Sequence, residues 1–196
     1  MALIKSSKIT SEQKQNIQNY PRVFIDFSPK IPPLKKIPDK TKINLRYALI
    51  SPFAFAHIYW DPKIFELVYD VEEPELDQTE KAYKEEIISA MKEMINFESV
   101  VEKKQESLLE YIDRMFKILA IELGINLSYE SYRKIYYYLC RDFMGFNEVE
   151  PLLRDYFVED IECNGIDTPI YIVHRQYRNI RTNVIFKDIE RIYSFV

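Results

Sequence analysis

Glycine is scarce in this 196-residue chain: Gly124, Gly145 and Gly165 stand alone, 21 and 20 residues apart. A phosphate-binding loop of the G-x-x-x-x-G-K-[ST] kind needs two glycines five apart, because its backbone N–H groups must close around the anion. None can be drawn, and the dinucleotide-binding G-x-G-x-x-G turn fails for the same reason. Cys140 and Cys163 lack C-x-x-C spacing, and the two histidines, His57 and His174, do not join them at zinc-ligand intervals. Free thiols and no metal site are expected. No apolar run approaches the roughly 20 residues of a membrane-spanning helix. The opening MALIKSSKITSEQKQNIQNY also lacks the apolar centre of a secretory signal. The chain therefore reads as cytoplasmic.

What is present is the material of a globular protein: 47% hydrophobic and 30% charged residues, enough to bury a core in one compact domain or two small ones. The net charge of −4 hides an uneven distribution. Residues 1–46 carry ten Lys or Arg against three acids, whereas residues 61–110 carry fifteen acids against six bases. Opposite ends of the chain thus suit different partners.

Residues 1–42 form a basic arm with prolines at 21, 29, 32, 33 and 38, which remove backbone donors and disfavour helix at the preceding residue. This stretch reads as a tail or wrapping segment, either touching an acidic protein surface or an anionic membrane, or simply solvated. Within it Arg22–Phe27 alternates well enough for a short edge strand. Residues 43–145 read as a β-hairpin followed by a helical subdomain. Apolar alternation from Tyr47 to Val71 is broken by Asp61-Pro62-Lys63. His57 falls inside this run as a structural, hydrogen-bonded histidine, since no second catalytic residue type lies nearby.

Asp77 and Glu80 form a capping box for a helix to about Phe97, with Tyr83, Ile87, Ile88, Met91, Met94 and Ile95 on one face. A second helix is expected from about Val101 to Leu123, with Leu108, Leu109, Ile112, Met115, Phe116, Leu119 and Leu123 inward. Gly124 supplies its left-handed cap. A third runs from the Ser128 N-cap to about Phe143 and carries five tyrosines. Tyrosines at helical spacing read as buried rings with hydroxyls at the rim, because the helix lacks the basic footprint that base stacking requires.

Residues 146–196 change texture. A turn into a short helical piece at Asn147–Leu153 precedes strands near Glu159–Cys163, Ile170–Val173 and Thr182–Phe186, with Asn164-Gly165 as a turn pair. Another helix begins at Lys187, and the sequence reads as the front part of a longer protein. Arg175, Arg178 and Arg181 recur at three-residue intervals around the last strand connection, where long cations can project past the domain edge.

The run GFNEVEPLLRDYFVEDIECNGIDTPIYIVHRQYRNIRTNVIF, Gly145 to Phe186, resembles the N-terminal region of the secretion or traffic ATPases. These are the hexameric motors of type II secretion, type IV pilus and archaellum assembly, and the likeness is strongest to their archaeal branch. It is carried by Gly145 with Glu150-Pro151-Leu152-Leu153 and Asp155, Glu159-Asp160-Ile161, Asn164-Gly165, Pro169-Ile170-Tyr171 with His174 and Tyr177, and Thr182-Asn183 before Phe186. A weaker echo lies in WDPKIFELVYDVEEPEL, Trp60 to Leu76.

The resemblance implies an α+β fold: a three-helix subdomain with a β-hairpin, then a small PAS-like mixed α/β unit, then a RecA-like motor absent from this sequence. It implies ATP and Mg in the parent protein and no cofactor in this chain, which should be inactive alone for want of a phosphate loop. Its partners would be the motor domain of the same protein and a membrane platform protein, with a hexameric parent, a monomeric fragment and a place at the inner face of the cell membrane. Arg178 and Arg181, with Arg175, become candidates for contacting nucleotide phosphates in trans, or else form an ordinary polar face with ion pairs worth roughly 0 to 1 kcal/mol. Glu150, Pro151, Asp160, Asn164, Gly165, His174 and Asn183 become structural motif positions, and no residue is assigned a catalytic or metal-binding role. The alternative from another class is a free-standing nucleic-acid-binding protein using the basic arm and the Arg175–Arg181 loop. The net charge opposes it. A stand-alone enzyme finds no interpretable pair of catalytic groups.

Overall fold

The computed structural model describes residues 10–98 and 107–187, with side chains placed to residue 93 and again from 107. It is an α+β protein. The chain divides into two units, each assembled from separated stretches: residues 1–24 with 75–144, and residues 25–74 with 145–196.

The first unit is helical. Its helices are α1 (Ser11–Gln18), α2 (Gln78–Glu98), α3 (Leu108–Glu122) and α4 (Tyr129–Met144). The α1 helix interrupts what the sequence suggested was an irregular arm. Thr10 and Gln13 form a reciprocal capping box there, satisfying two backbone donors that would otherwise lack partners. The expected Asp77–Glu80 box opens α2, at 2.8 and 3.0 Å. Ser107 and Glu110 form another at α3, so the described helix starts at Leu108. The expected start at Val101 lies outside the described residues, as do the side chains of Met94 and Ile95. Leu108, expected inward, is exposed, because it occupies the first turn beside the cap. Gly124, at φ 71°, ends α3 with Ile125 N–H donating to the Ala120 carbonyl at 2.8 Å, a left-handed cap that other residues adopt only with strain. Ser128 caps α4 through the Ser131 N–H.

Three of the five tyrosines of α4, Tyr132, Tyr136 and Tyr137, are core, and Tyr129 and Tyr138 are half-buried. Tyr132 stacks on Phe116 at 4.5 Å, and its hydroxyl donates to Asp113 at 2.7 Å. Tyr136 donates to the Leu109 carbonyl at 2.9 Å. Burial pushes both phenols far above their ordinary pKa. Cys140, buried in the same helix, has its thiol pushed up to about 12 by desolvation and is a packing residue. Both cysteines are free thiols.

The second unit is built on one six-stranded sheet in the order β1-β2-β3-β6-β5-β4. Its strands are β1 (Asn44–Ile50), β2 (Ala54–Asp61), β3 (Glu66–Glu72), β4 (Val158–Glu162), β5 (Pro169–His174) and β6 (Arg178–Ile185). Two antiparallel three-stranded meanders are joined by the parallel β3–β6 pair. The hairpin expected to accompany the helices thus shares its sheet with the C-terminal strands, and the chain from Glu75 to Met144 is inserted between the two meanders. The expected strand at Arg22–Phe27 shrinks to a single bridge between Asp26 and Ser51. The expected Asn147–Leu153 turn is a short 3₁₀ segment leading into α5 (Glu150–Leu153), with Pro151 in its first turn. Of the helix expected from Lys187 onward, residues 188–196 are outside the described residues.

Candidate functional site

The three arginines cluster at and beyond the β5–β6 connection. His174 pairs with Arg178 across the hairpin, and Tyr177 N–H donates to the His174 carbonyl at 3.2 Å to close the turn. Arg178 follows at φ 63°, the left-handed region that short hairpins ordinarily give to glycine. A side chain there costs about 1–2 kcal/mol. Arg175 stacks over the Tyr156 ring at 4.2 Å and approaches Glu159 at 3.6 Å, an exposed pairing that is worth little and is screened by salt. Arg178 and Arg181 are exposed and make no ion pair among the described residues. Strand alternation puts Arg181 with Asn179 and Asn183 on the exposed face of β6. Arg175 and Arg178 instead line a common cavity, which Arg181 does not reach.

The motif positions around the arginines engage the sheet unit's own backbone and side chains. Asn183 acts as an extension of the backbone: its Nδ2 donates to the Val71 carbonyl at 3.0 Å, and its Oδ1 accepts from Val71 N–H at 2.8 Å. The main-chain register of β3 and β6 pairs only Val68 with Arg181 and Tyr69 with Thr182, so this amide carries the pairing onward. Thr182 Oγ1 donates to the Ile170 carbonyl at 2.8 Å, where the β5–β6 register shifts. Glu150 is buried; its Oε2 accepts from Phe146 N–H at 3.0 Å and its Oε1 from Arg154 Nε at 2.5 Å. A Cβ on Gly145 would overlap the Glu150 Cδ and Oε2, which explains a glycine before a glutamate five residues on.

Asp160 Oδ1 accepts from Ile161 N–H at the exposed edge strand. The Asn164-Gly165 pair lies in a connection longer than a two-residue turn, between β4 ending at Glu162 and β5 starting at Pro169. Gly165 sits there at φ 120°, and its carbonyl accepts from Thr168 Oγ1 at 2.8 Å.

His174 is fully buried at the end of β5, between the rings of Phe157 and Tyr177 at 5.6 and 5.0 Å. Its Nδ1 accepts from Gln176 N–H at 3.2 Å, which places the ring proton on Nε2. That atom has no hydrogen-bond partner among the described residues. Desolvation holds the imidazole pKa below its ordinary value, against the opposing pull of Asp155 and Glu159. His57 is structural as well, held by Asn44 at 2.9 Å and beside Glu72 at 3.1 Å.

One buried arrangement has no counterpart among the sequence-derived site residues. Asp155 accepts from the hydroxyls of Tyr47 and Tyr69 on one oxygen, at 2.5 and 2.7 Å, and from Phe157 N–H on the other at 2.8 Å. Burial, reinforced by the carboxylate, raises both phenols far above the ordinary tyrosine range, so they remain donors. Tyr47 and Tyr69 stand 108 and 86 residues from Asp155, and no local spacing announces them. Among the described residues no group of three or more His, Cys, Asp or Glu could hold a metal ion, and no helix is long and apolar enough to cross a membrane.

No protein-family profile matches the chain. Two proteins of Methanocaldococcus jannaschii are similar to it. The uncharacterized protein MJ1288 is 31% identical over 96 residues, covering 49% of this chain and 38% of that protein. The uncharacterized protein MJ0900 is 24% identical over 206 aligned positions, covering 95% of this chain and 37% of that protein. The chain therefore spans less than two fifths of each relative's length.

Proposed function

We propose that this chain is a non-catalytic regulatory and docking part of a traffic ATPase of pilus, archaellum or secretion systems, coupling ATP-driven motion of a motor domain to a membrane platform protein. The observation that carries the reading is Arg178: a guanidinium at a left-handed hairpin position, exposed and without an ion pair among the described residues. Glycine would hold that turn with less strain, so the residue is explained by what its side chain reaches. Arg181, on the exposed face of β6 and away from the cavity, adds a second such cation.

In this reading the arginines approach the phosphates of a nucleotide bound on the motor domain and stabilise the charge that develops during transfer. ATP and Mg belong to that motor. The arginines of this chain would serve as outer contacts, since no phosphate loop can be drawn from its glycines. Two relatives much longer than this chain are in keeping with a module that works beside further domains. A hexameric parent at the inner membrane face belongs to the same proposal, the basic arm being a docking surface.

The test uses the full-length protein with Arg178→Gly and Arg181→Ala combined. Glycine preserves the turn, so the fold should be retained while ATP turnover drops by tenfold or more, since charge-stabilising arginines are commonly worth more than that. Unchanged turnover in a folded double variant removes the arginines from the mechanism.

A further inference from the structure

The cavity that Arg175 and Arg178 share lies wholly within the sheet unit and measures about 530 Å³, within the roughly 300–1,000 Å³ usual for small-molecule sites. Its lining joins two stretches remote in sequence, residues 36–43 of the arm and the β5–β6 turn. Gln176 fastens them together: its Nε2 donates to the Leu34 carbonyl at 3.3 Å. Just beyond, Asp39 caps the 3₁₀ turn Lys40–Lys42 through the Thr41 N–H, which sets Lys40 at the cavity wall.

Four lining residues are cationic, Lys36, Lys40, Arg175 and Arg178, and none is acidic. Of these, Lys36, Lys40 and Arg178 make no ion pair among the described residues. Asp39, next to Lys40, is committed elsewhere, accepting from Thr41 Oγ1 at 2.7 Å and pairing with Lys42 at 3.4 Å. Glu159 is the one described acid engaging the cluster, through Arg175 alone. Like charges gathered without counter-charges repel one another, and an anion of charge near −2 relieves that repulsion. The remaining wall is apolar, with Ile37, Pro38 and Ile43 beside the charges. Bare phosphate would leave that wall unused.

We propose that this cavity binds an organic phosphate, its phosphoryl group held by Lys36, Lys40 and Arg178 and its carbon part lying against Ile37 and Ile43. The same chemistry is offered by a soluble phosphate monoester and by a phospholipid with a phosphomonoester headgroup. The site stands on this geometry and not on the motor-domain reading. Arg178 is common to both readings, whereas Lys36 and Lys40 have no part in the arginine contact described above, so variants of the two lysines let the two ideas fail separately.

The experiment titrates the 196-residue chain with glycerol 3-phosphate by calorimetry and, in a parallel arm, sediments it with phosphatidic acid vesicles, whose headgroup is likewise a phosphomonoester. Lys36→Ala/Lys40→Ala, Gln176→Ala and, as a remote control, Lys63→Ala are compared after circular dichroism confirms their folding. Saturable binding to either probe is expected, weakened about tenfold or more by the double lysine variant, weakened by Gln176→Ala at unchanged charge, and unaffected by Lys63→Ala. The responsive arm identifies the source of the phosphate. The proposal is overturned if neither probe binds, if Lys63→Ala weakens binding as much as the double variant, or if a single-stranded oligonucleotide titrated alongside binds while neither probe does.

Discussion

His174 shows how one side chain can make the stability of this protein depend on pH. Its folded pKa lies below the ordinary value because burial penalises the imidazolium, whereas the unfolded histidine titrates near about 6.5. Above that value both states are neutral and the fold is undisturbed. As the pH falls through it, the unfolded chain gains a proton that the native chain resists, and stability is lost. Urea unfolding midpoints should therefore decline from pH 7.5 to 5, and His174→Phe should flatten that decline. An equal slope in the variant would assign the effect to other groups. Asp155 does a different job at this scale, tying Tyr47 of β1, Tyr69 of β3 and the backbone before β4 to a single carboxylate.

Among the elements, β6 carries the greatest demand, because its parallel pairing with β3 joins the two meanders. Asn183 supplies that junction with two side-chain hydrogen bonds to Val71. Asn183→Ala leaves the Val71 N–H and carbonyl without these partners, at about 1–3 kcal/mol. Exchange of the Val71 amide should quicken, and the unfolding midpoint should drop; native-like protection would show that the amide is dispensable.

The contrast between readable and unreadable features follows from range. Asp77–Glu80, Ser128 and Gly124 act within four or five residues, and the helices they bound were legible from spacing alone. The α1 capping box was equally local, yet it was obscured by the prolines and lysines that follow it. Thr10-x-x-Gln13 was the signal that could have exposed it. The Tyr47–Tyr69–Asp155 cluster and the β3–β6 junction depend on pairings between residues about a hundred positions apart, which periodicity does not encode. Of the three arginines, the sequence showed their rhythm but not that Arg181 faces away from the cavity lined by the other two, nor that Arg178 sits in the left-handed region.

For the molecule as a whole, a sheet interrupted by a helical insertion offers two kinds of surface. The helical unit is closed by stacked tyrosines and by ion pairs such as Lys117–Asp113 at 2.9 Å. The sheet unit gathers uncompensated cations at one hairpin end. In the proposed reading, that asymmetry would serve a part that receives an anionic signal and passes on movement. The most direct measurement of this account compares ATP hydrolysis by the 196-residue chain with that of the full-length protein containing it, under identical Mg and salt conditions. The expected result is hydrolysis by the full-length protein and none above background by the chain alone. Turnover by the isolated chain, or a folded full-length protein that leaves ATP intact, would contradict it.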